Sequence, residues 1–128
     1  ILISDKERSG YMKPYVEKIE TEAMYAEKSW GDYTVIDVQP GSMTIKVSMR
    51  AGEHMTYHMH NHREEVWTVV SGNGKVTVDG KVQLVSAGDV ITIAAGCKHT
   101  VEAITALDMI EVQLGEEISV ADKIKCKM

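Results

Sequence analysis

The sequence predicts an all-β fold, a barrel or sandwich of short strands preceded by a short helix. Three observations carry this. From Trp30 onward, β-branched and aromatic runs are separated by glycine turns at close spacing. Met43-Thr-Ile-Lys-Val-Ser-Met49 alternates strictly, with Met43, Ile45, Val47 and Met49 on one face and Thr44, Lys46 and Ser48 on the other. Asp79-Gly80 divides the run from Lys75 to Val85, and that pair supplies both positive-φ positions of a type I′ hairpin turn. At 128 residues the chain is one domain's worth, long enough to bury a core.

Ile1-Leu-Ile3 reads as the end of a strand. Ser4-Asp-Lys-Glu7 is a capping-box pattern that starts a helix. Met12, Tyr15, Val16 and Ile19 follow at helical spacing, so helix is predicted from about Asp5 to Ile19, with Pro14 in a first turn or at a kink. Residues 20–29 are polar and read as a linker or a helix extension. The expected division is therefore a helix and linker over 1–29 and a barrel over 30–128. Strands are predicted over Tyr33 to Val38, Met43 to Met49, Thr56 to His60 and Glu65 to Val70. Gly72-Asn-Gly74 is a turn, and Lys75 to Val85 is the hairpin. Gly88-Asp89 opens a further turn before Val90 to Ile93, and His99 to Ile104 and Leu107 to Leu114 close the set. Glu116 to Met128 is charged, and reads as a short helix or a tail.

The net charge of −5 argues against a nucleic-acid partner or an anionic membrane, both of which favour a basic surface. No apolar run approaches the ~18–20 residues of a membrane span, and Ile1-Leu-Ile3 is too short for a signal peptide. Cys97 and Cys126 make no disulfide framework and read as free thiols of a cytoplasmic protein, Cys97 as a small buried side chain. Because the chain begins with Ile1 rather than Met, it is expected to be a fragment or a processed form, which leaves room for a further partner domain.

Four of the five histidines fall within ten residues, at 54, 58, 60 and 62. A strand repeats every two residues, so His58 and His60 put both imidazoles on one face. Glu65 follows closely, and His99 lies beyond a Gly-containing turn where a second strand pair can return it to the same place. His58, His60, Glu65 and His99 make a three-imidazole, one-carboxylate set suited to zinc, manganese, iron, nickel or copper. His54 and His62 fall outside that set and read as ordinary polar residues, with His62 near enough to line a pocket.

The spacing resembles the two-motif signature of the cupin family. His58-x-His60 lies six residues after Gly52, and Glu65 and Gly72 follow at the family's intervals. The second motif keeps Gly88, Gly96 and His99, with Ala94 for its Pro and Ala103 for its Asn. The resemblance implies a double-stranded β-helix, a jelly-roll barrel with one divalent metal ion in its mouth, zinc favoured. Cupins commonly dimerise through their sheets, so a homodimer is an expectation.

A finer resemblance is to the cupin domain of type II phosphomannose isomerases. His60-Asn-His-Arg-Glu-Glu65-Val-Trp67-Thr-Val-Val-Ser71-Gly72 resembles that family's H-x-H-R-x-E-x-W-x-V-V-S-G run. Trp30-Gly31-x-Tyr33 resembles its opening, Ala95-Gly96-x-Lys98-His99 its turn, and Ile110-Glu-Val-Gln113-Leu-Gly115 its close. Ile1 to Arg8, Lys13 and Val16-Glu17 resemble the end of the nucleotidyltransferase domain that precedes this cupin in bifunctional enzymes. The implied activity is the interconversion of a phosphorylated aldose and ketose, mannose 6-phosphate and fructose 6-phosphate or a relative, through an enediol. The implied ligands are a sugar phosphate or sugar nucleotide. The implied roles are metal ligation by His58, His60, Glu65 and His99, phosphate binding by Lys46, Arg63 and Lys98, and proton transfer by His62.

The sequence departs from that family's pattern at several positions. His58 stands where the isomerases commonly carry Gln. Lys28-Ser29 replace an Arg-Pro, Thr100 replaces an Arg, and Lys125 stands for Arg in the tail. Two alternatives follow. One is a non-catalytic cupin that regulates an attached nucleotidyltransferase, and the other is a metal-dependent oxygenase built on the three histidines.

Overall fold

The computed structural model describes residues 24–116, 118 and 123–126. The helix predicted from about Asp5 to Ile19 lies outside them. Among the described residues there is no helix. The described residues form eleven strands in chain order: β1 (Tyr25–Lys28), β2 (Gly31–Gln39), β3 (Ser42–Met49), β4 (His58–Met59), β5 (Glu64–Ser71), β6 (Asn73–Val78), β7 (Lys81–Ser86), β8 (Val90–Ile93), β9 (His99–Ala103), β10 (Leu107–Leu114) and β11 (Ile124–Lys125). They form two sheets, one ordered β1-β2-β3-β10-β5-β8 and the other β11-β4-β9-β6-β7, with antiparallel pairing throughout.

The inner faces of the two sheets share one core. Val47, Trp67, Leu107 and Met109 from the first sheet meet Val76, Val101 and Ala103 from the second. The period-two pattern makes this possible, because β3 buries Met43, Ile45, Val47 and Met49 and turns Lys46 outward. Each fully buried Val, Leu or Met side chain contributes about 1.5–3 kcal/mol of transfer free energy. No helix among the described residues is long and apolar enough to cross a membrane.

Two turns show why the barrel closes where it does. Asp79 and Gly80 join β6 to β7 with φ of 48° and 81°, as the type I′ turn requires. Gly72, with φ of 91°, passes over the backbone before Leu107. A Cβ there would run into the Ala106 carbonyl oxygen, so only Gly lets β5 turn into β6 at this point.

Two segments differ from expectation. The stretch over 20–29 was predicted as linker or helix extension, yet Tyr25–Lys28 is a strand paired with β2, from Tyr25 opposite Thr34 to Lys28 opposite Gly31. It is an edge strand, exposed along most of its length, so it carries no apolar alternation to betray it. Its hairpin with β2 spans the boundary expected between residues 29 and 30. At the other end, the predicted helix or tail contains a two-residue strand, β11, whose Lys125 lies opposite His58. Cys126 N donates to Tyr57 O at 2.8 Å and extends this pairing.

Candidate metal centre

β4 and β9 are neighbours, and His58 lies directly opposite His99. His60 follows β4 on the same face, and its carbonyl accepts from Gly96 N at 2.7 Å, tying the turn before His99 to the loop after β4. Ligand atoms of His58, His60 and His99 lie within 4.8 Å of one another, and all three residues are buried. These three imidazoles could hold a metal ion.

The tautomers are set by the backbone. His58 Nδ1–H donates to Thr56 O at 2.5 Å and His99 Nδ1–H to Cys97 O at 2.9 Å. A carbonyl only accepts, so the proton sits on Nδ1 and each Nε2 keeps its lone pair, the arrangement a metal-ligating imidazole needs. His99 Nε2 is buried and has no hydrogen-bond partner among the described residues. An orphaned basic nitrogen is costly in a dry interior, and a metal would satisfy it.

Glu65 lies at the head of β5 beside the imidazoles. Its Oε2 is 3.0 Å from His60 Nε2, and its Oε1 is 3.6 Å from His99 Nε2. Each carboxylate oxygen thus faces a different imidazole, which puts Glu65 beside the three-histidine group. Trp67 Nε1 donates to Glu65 Oε1 at 3.0 Å, and its ring meets His99 edge-on with centroids 5.5 Å apart. Arg63 Nε donates to Glu65 Oε2 at 3.1 Å, and Arg63 Nη2 to His60 Nε2 at 3.0 Å. A metal would have to take that last lone pair from the guanidinium.

Burial governs the protonation states. It pushes His58 down to about 3, helped by the neighbouring His99, and it lowers His99 as well. Both imidazoles are therefore neutral at pH 7, as ligation needs. Burial works to raise Glu65, but the close contact with His60 and the Arg63 charge outweigh burial and hold the carboxyl at about 2. Burial and the Glu65 charge push Glu111 up to about 8.

His58, His60, Glu65 and Glu111 line a cavity of about 150 Å³, and His99 lies behind them. Val35, Ile45, Val47, Met55 and Trp67 form apolar wall. Glu111 and Gln113 stand on the inner face of β10, and Lys28, Arg63 and Lys123 are the cations among the described residues that line the cavity. Burial lowers Lys123, and Lys28 adds to this by its charge.

The structure brings His58, His60, Glu65, His99 and Arg63 together, and leaves three sequence-predicted site residues elsewhere. Lys46 is exposed on the outer face of β3, because it alternates with the buried Ile45 and Val47. Lys98 is pinned to the β6–β7 turn, with its N donating to Asp79 Oδ1 at 2.9 Å and its O accepting from Asp79 N at 2.7 Å. It borders an outer groove that also includes His54. His62 is exposed on the loop between β4 and β5 and lines a surface depression, not the cavity. Sequence reasoning missed Lys28, Lys123, Glu111 and Gln113 as cavity residues. Only β10 carried a signal for this, since Leu107, Met109, Glu111 and Gln113 share one face and two of the four are polar.

Comparison with known proteins adds to this geometry. A family model described as "Mannose-6-phosphate isomerase C-terminal" matches residues 17–127. The chain is 31% identical to a mannose-1-phosphate guanylyltransferase of Escherichia coli (strain K12) and 32% identical to the mannose-1-phosphate guanylyltransferase ManC of Salmonella typhimurium. Each match covers 98% of this chain. The chain spans only 28% of the length of those curated relatives. An RmlC-like cupin from Shewanella frigidimarina superposes with a TM-score of 0.63 at 22% identity, covering 70% of this chain and 81% of that one. The barrel is thus a cupin fold.

Proposed function

The chain belongs to the mannose-6-phosphate isomerase C-terminal family, and on that premise we propose that its barrel holds one divalent metal ion and interconverts a phosphorylated aldose and ketose. The observation that carries the reading is the gathering of three imidazoles, two of them neutral with Nε2 freed by backbone-bound Nδ1, beside an ionised carboxylate at a part-apolar cavity lined by His58, His60 and Glu65. His58, His60 and His99 would hold the metal through Nε2, and Glu65 through a carboxylate oxygen. When bound, the ion supplies Lewis-acid stabilisation to the oxyanion of an enediol.

The remaining work falls to the chain's own residues. Trp67 and Arg63 keep Glu65 oriented and ionised. The apolar wall excludes water from the reacting carbons. Lys28, Lys123 and Arg63 supply positive charge for the phosphate. Isomerisation removes a proton from carbon 2 and returns one to carbon 1, while the hydroxyl proton moves between the two oxygens. We assign the carbon-bound proton to Glu111, a carboxyl on the cavity wall, because His62 lies outside the cavity.

The test is turnover of mannose 6-phosphate to fructose 6-phosphate by zinc- or manganese-loaded protein. Activity that disappears with a chelator and in His99→Ala supports the reading, and no turnover of any hexose 6-phosphate sinks it. A second reading has its own observation. The relatives are guanylyltransferases, and this chain spans about a quarter of their length. In that reading the cupin binds a sugar or sugar nucleotide and regulates an attached nucleotidyltransferase. Saturable binding of GDP-mannose with no isomerisation would favour it.

A further inference from the structure

The inner face of β10 changes character halfway along. Leu107 and Met109 are fully buried in the core, while Glu111 and Gln113 continue the same face into the cavity wall. Gln113 is 3% exposed and lies opposite Glu65 on β5 and Met43 on β3. Its Nε2 donates to Glu111 Oε2 at 2.7 Å. An amide nitrogen only donates, so Glu111 Oε2 is the acceptor here, and the Glu111 carboxyl proton is engaged in its side-chain hydrogen bond with Glu65. Gln113 Oε1 is then left buried with no hydrogen-bond partner among the described residues.

An unmade hydrogen bond to a buried amide oxygen destabilises a protein. A position needed only for packing would carry an apolar side chain, as the same strand does at Leu107 and Met109. We propose that Gln113 is a specificity-determining residue whose Oε1 accepts a hydrogen bond from a ligand hydroxyl, with Glu111 positioning the amide. This rests on the reading of the site as one for a sugar phosphate. Oε1 is an acceptor only, so it selects a donor and repels an anion. The phosphate is thereby directed to the cations Lys28 and Lys123 and the hydroxyl-bearing carbons to Gln113.

The test compares wild-type and Gln113→Met protein, both zinc-loaded. Calorimetric titration uses mannose 6-phosphate, its 2-, 3- and 4-deoxy analogues, and free mannose. The wild type is expected to bind one deoxy analogue about tenfold more weakly than the parent. Gln113→Met is expected to bind the parent about tenfold more weakly, to stop distinguishing that analogue, to keep its zinc, and to melt no lower than wild type when ligand-free. Unchanged discrimination overturns the inference alone. So does a clear fall in melting temperature, which marks a structural role, or loss of zinc, which gives the oxygen to the metal. Gln113→Leu repeats the measurement should the Met variant fail to fold, and failure of both to fold also overturns the inference. A wild type that binds neither mannose 6-phosphate nor mannose overturns it together with the reading it rests on.

Discussion

The two ends of the barrel interior are built on the same strands and do opposite things. At one end β5 buries Val69, β10 buries Leu107 and Met109, and β9 buries Val101 and Ala103, all at 1% exposure or less. At the other end the same strands bury Glu65, Glu111, Gln113 and His99. The backbone ladders continue unbroken between the two, apart from a register shift at Asp108/Met109. The difference lies in the side chains. The dry end supplies the transfer free energy that offsets the desolvation of polar groups at the other. A β-sheet suits this division because its backbone pairing does not depend on which side chains face inward.

The largest expected effect lies at the dry end. Leu107→Ala should destabilise the protein by about 2–5 kcal/mol, read by urea unfolding, while leaving the metal stoichiometry of the folded fraction unchanged. A loss below 1 kcal/mol would mean that the core is not concentrated there.

The next effect belongs to the polar end. Zinc at 100 times its Kd should stabilise wild type by about 2.7 kcal/mol. The His58→Ala/His99→Ala variant should show no such gain, and elemental analysis should find metal near one per chain in wild type and none in the variant. Equal stabilisation of both proteins would place the metal elsewhere.

A pH profile of the metal-free protein sharpens the contrast. Glu111 titrates at about 8 when folded against an ordinary 4.5, so the folded state binds the extra proton. Its contribution is complete below pH 4.5 and is lost as pH rises to 8, at a limiting slope of about 1.4 kcal/mol per pH unit. His58 runs the other way, at about 3 against 6.5, so its contribution is complete above pH 6.5 and is lost as pH falls toward 3. Glu65, held at about 2 against 4.5, adds a loss below pH 4.5. The two limbs oppose each other between 4.5 and 6.5, and stability should fall outside that window on both sides. Glu111→Gln should flatten the fall between pH 6.5 and 8 and spare the acid limb. An unchanged alkaline limb would show that Glu111 is not its source.

The smallest effect is a control on the outer face. Lys46→Ala should change stability by less than about 0.5 kcal/mol and leave metal and hexose phosphate binding intact, since Lys46 points into solvent. A large loss of ligand affinity would return Lys46 to the site.

Much of this was legible in the residues. The strict alternation of Met43 to Met49 predicted its inner face, and the strands predicted over Val90 to Ile93 and Leu107 to Leu114 have the observed limits. The spacing of His58, His60 and His99 predicted their convergence, because one pair shares a strand face and the third returns after a turn. The strand Tyr25–Lys28 was hidden because an edge strand needs no apolar face. Lys98 was misread because its place depends on Asp79, nineteen residues away in sequence. Lys28 and Lys123 reach the cavity from opposite ends of the chain, and no local pattern marks that meeting.

The residues by themselves were therefore sufficient for most strands and the turn at Asp79-Gly80, which depend on local pattern, and for the family resemblance and the set of donors, which rest on motif spacing along the chain. Only the tertiary structure decided which cations face the cavity, that Lys46 and His62 lie outside it, and that Glu111 and Gln113 lie within it. Those outcomes depend on how two sheets face each other. Strand pairing aligns residues far apart in sequence, and a one-residue change of register would have moved Lys46, Glu111 and Gln113 to the opposite face.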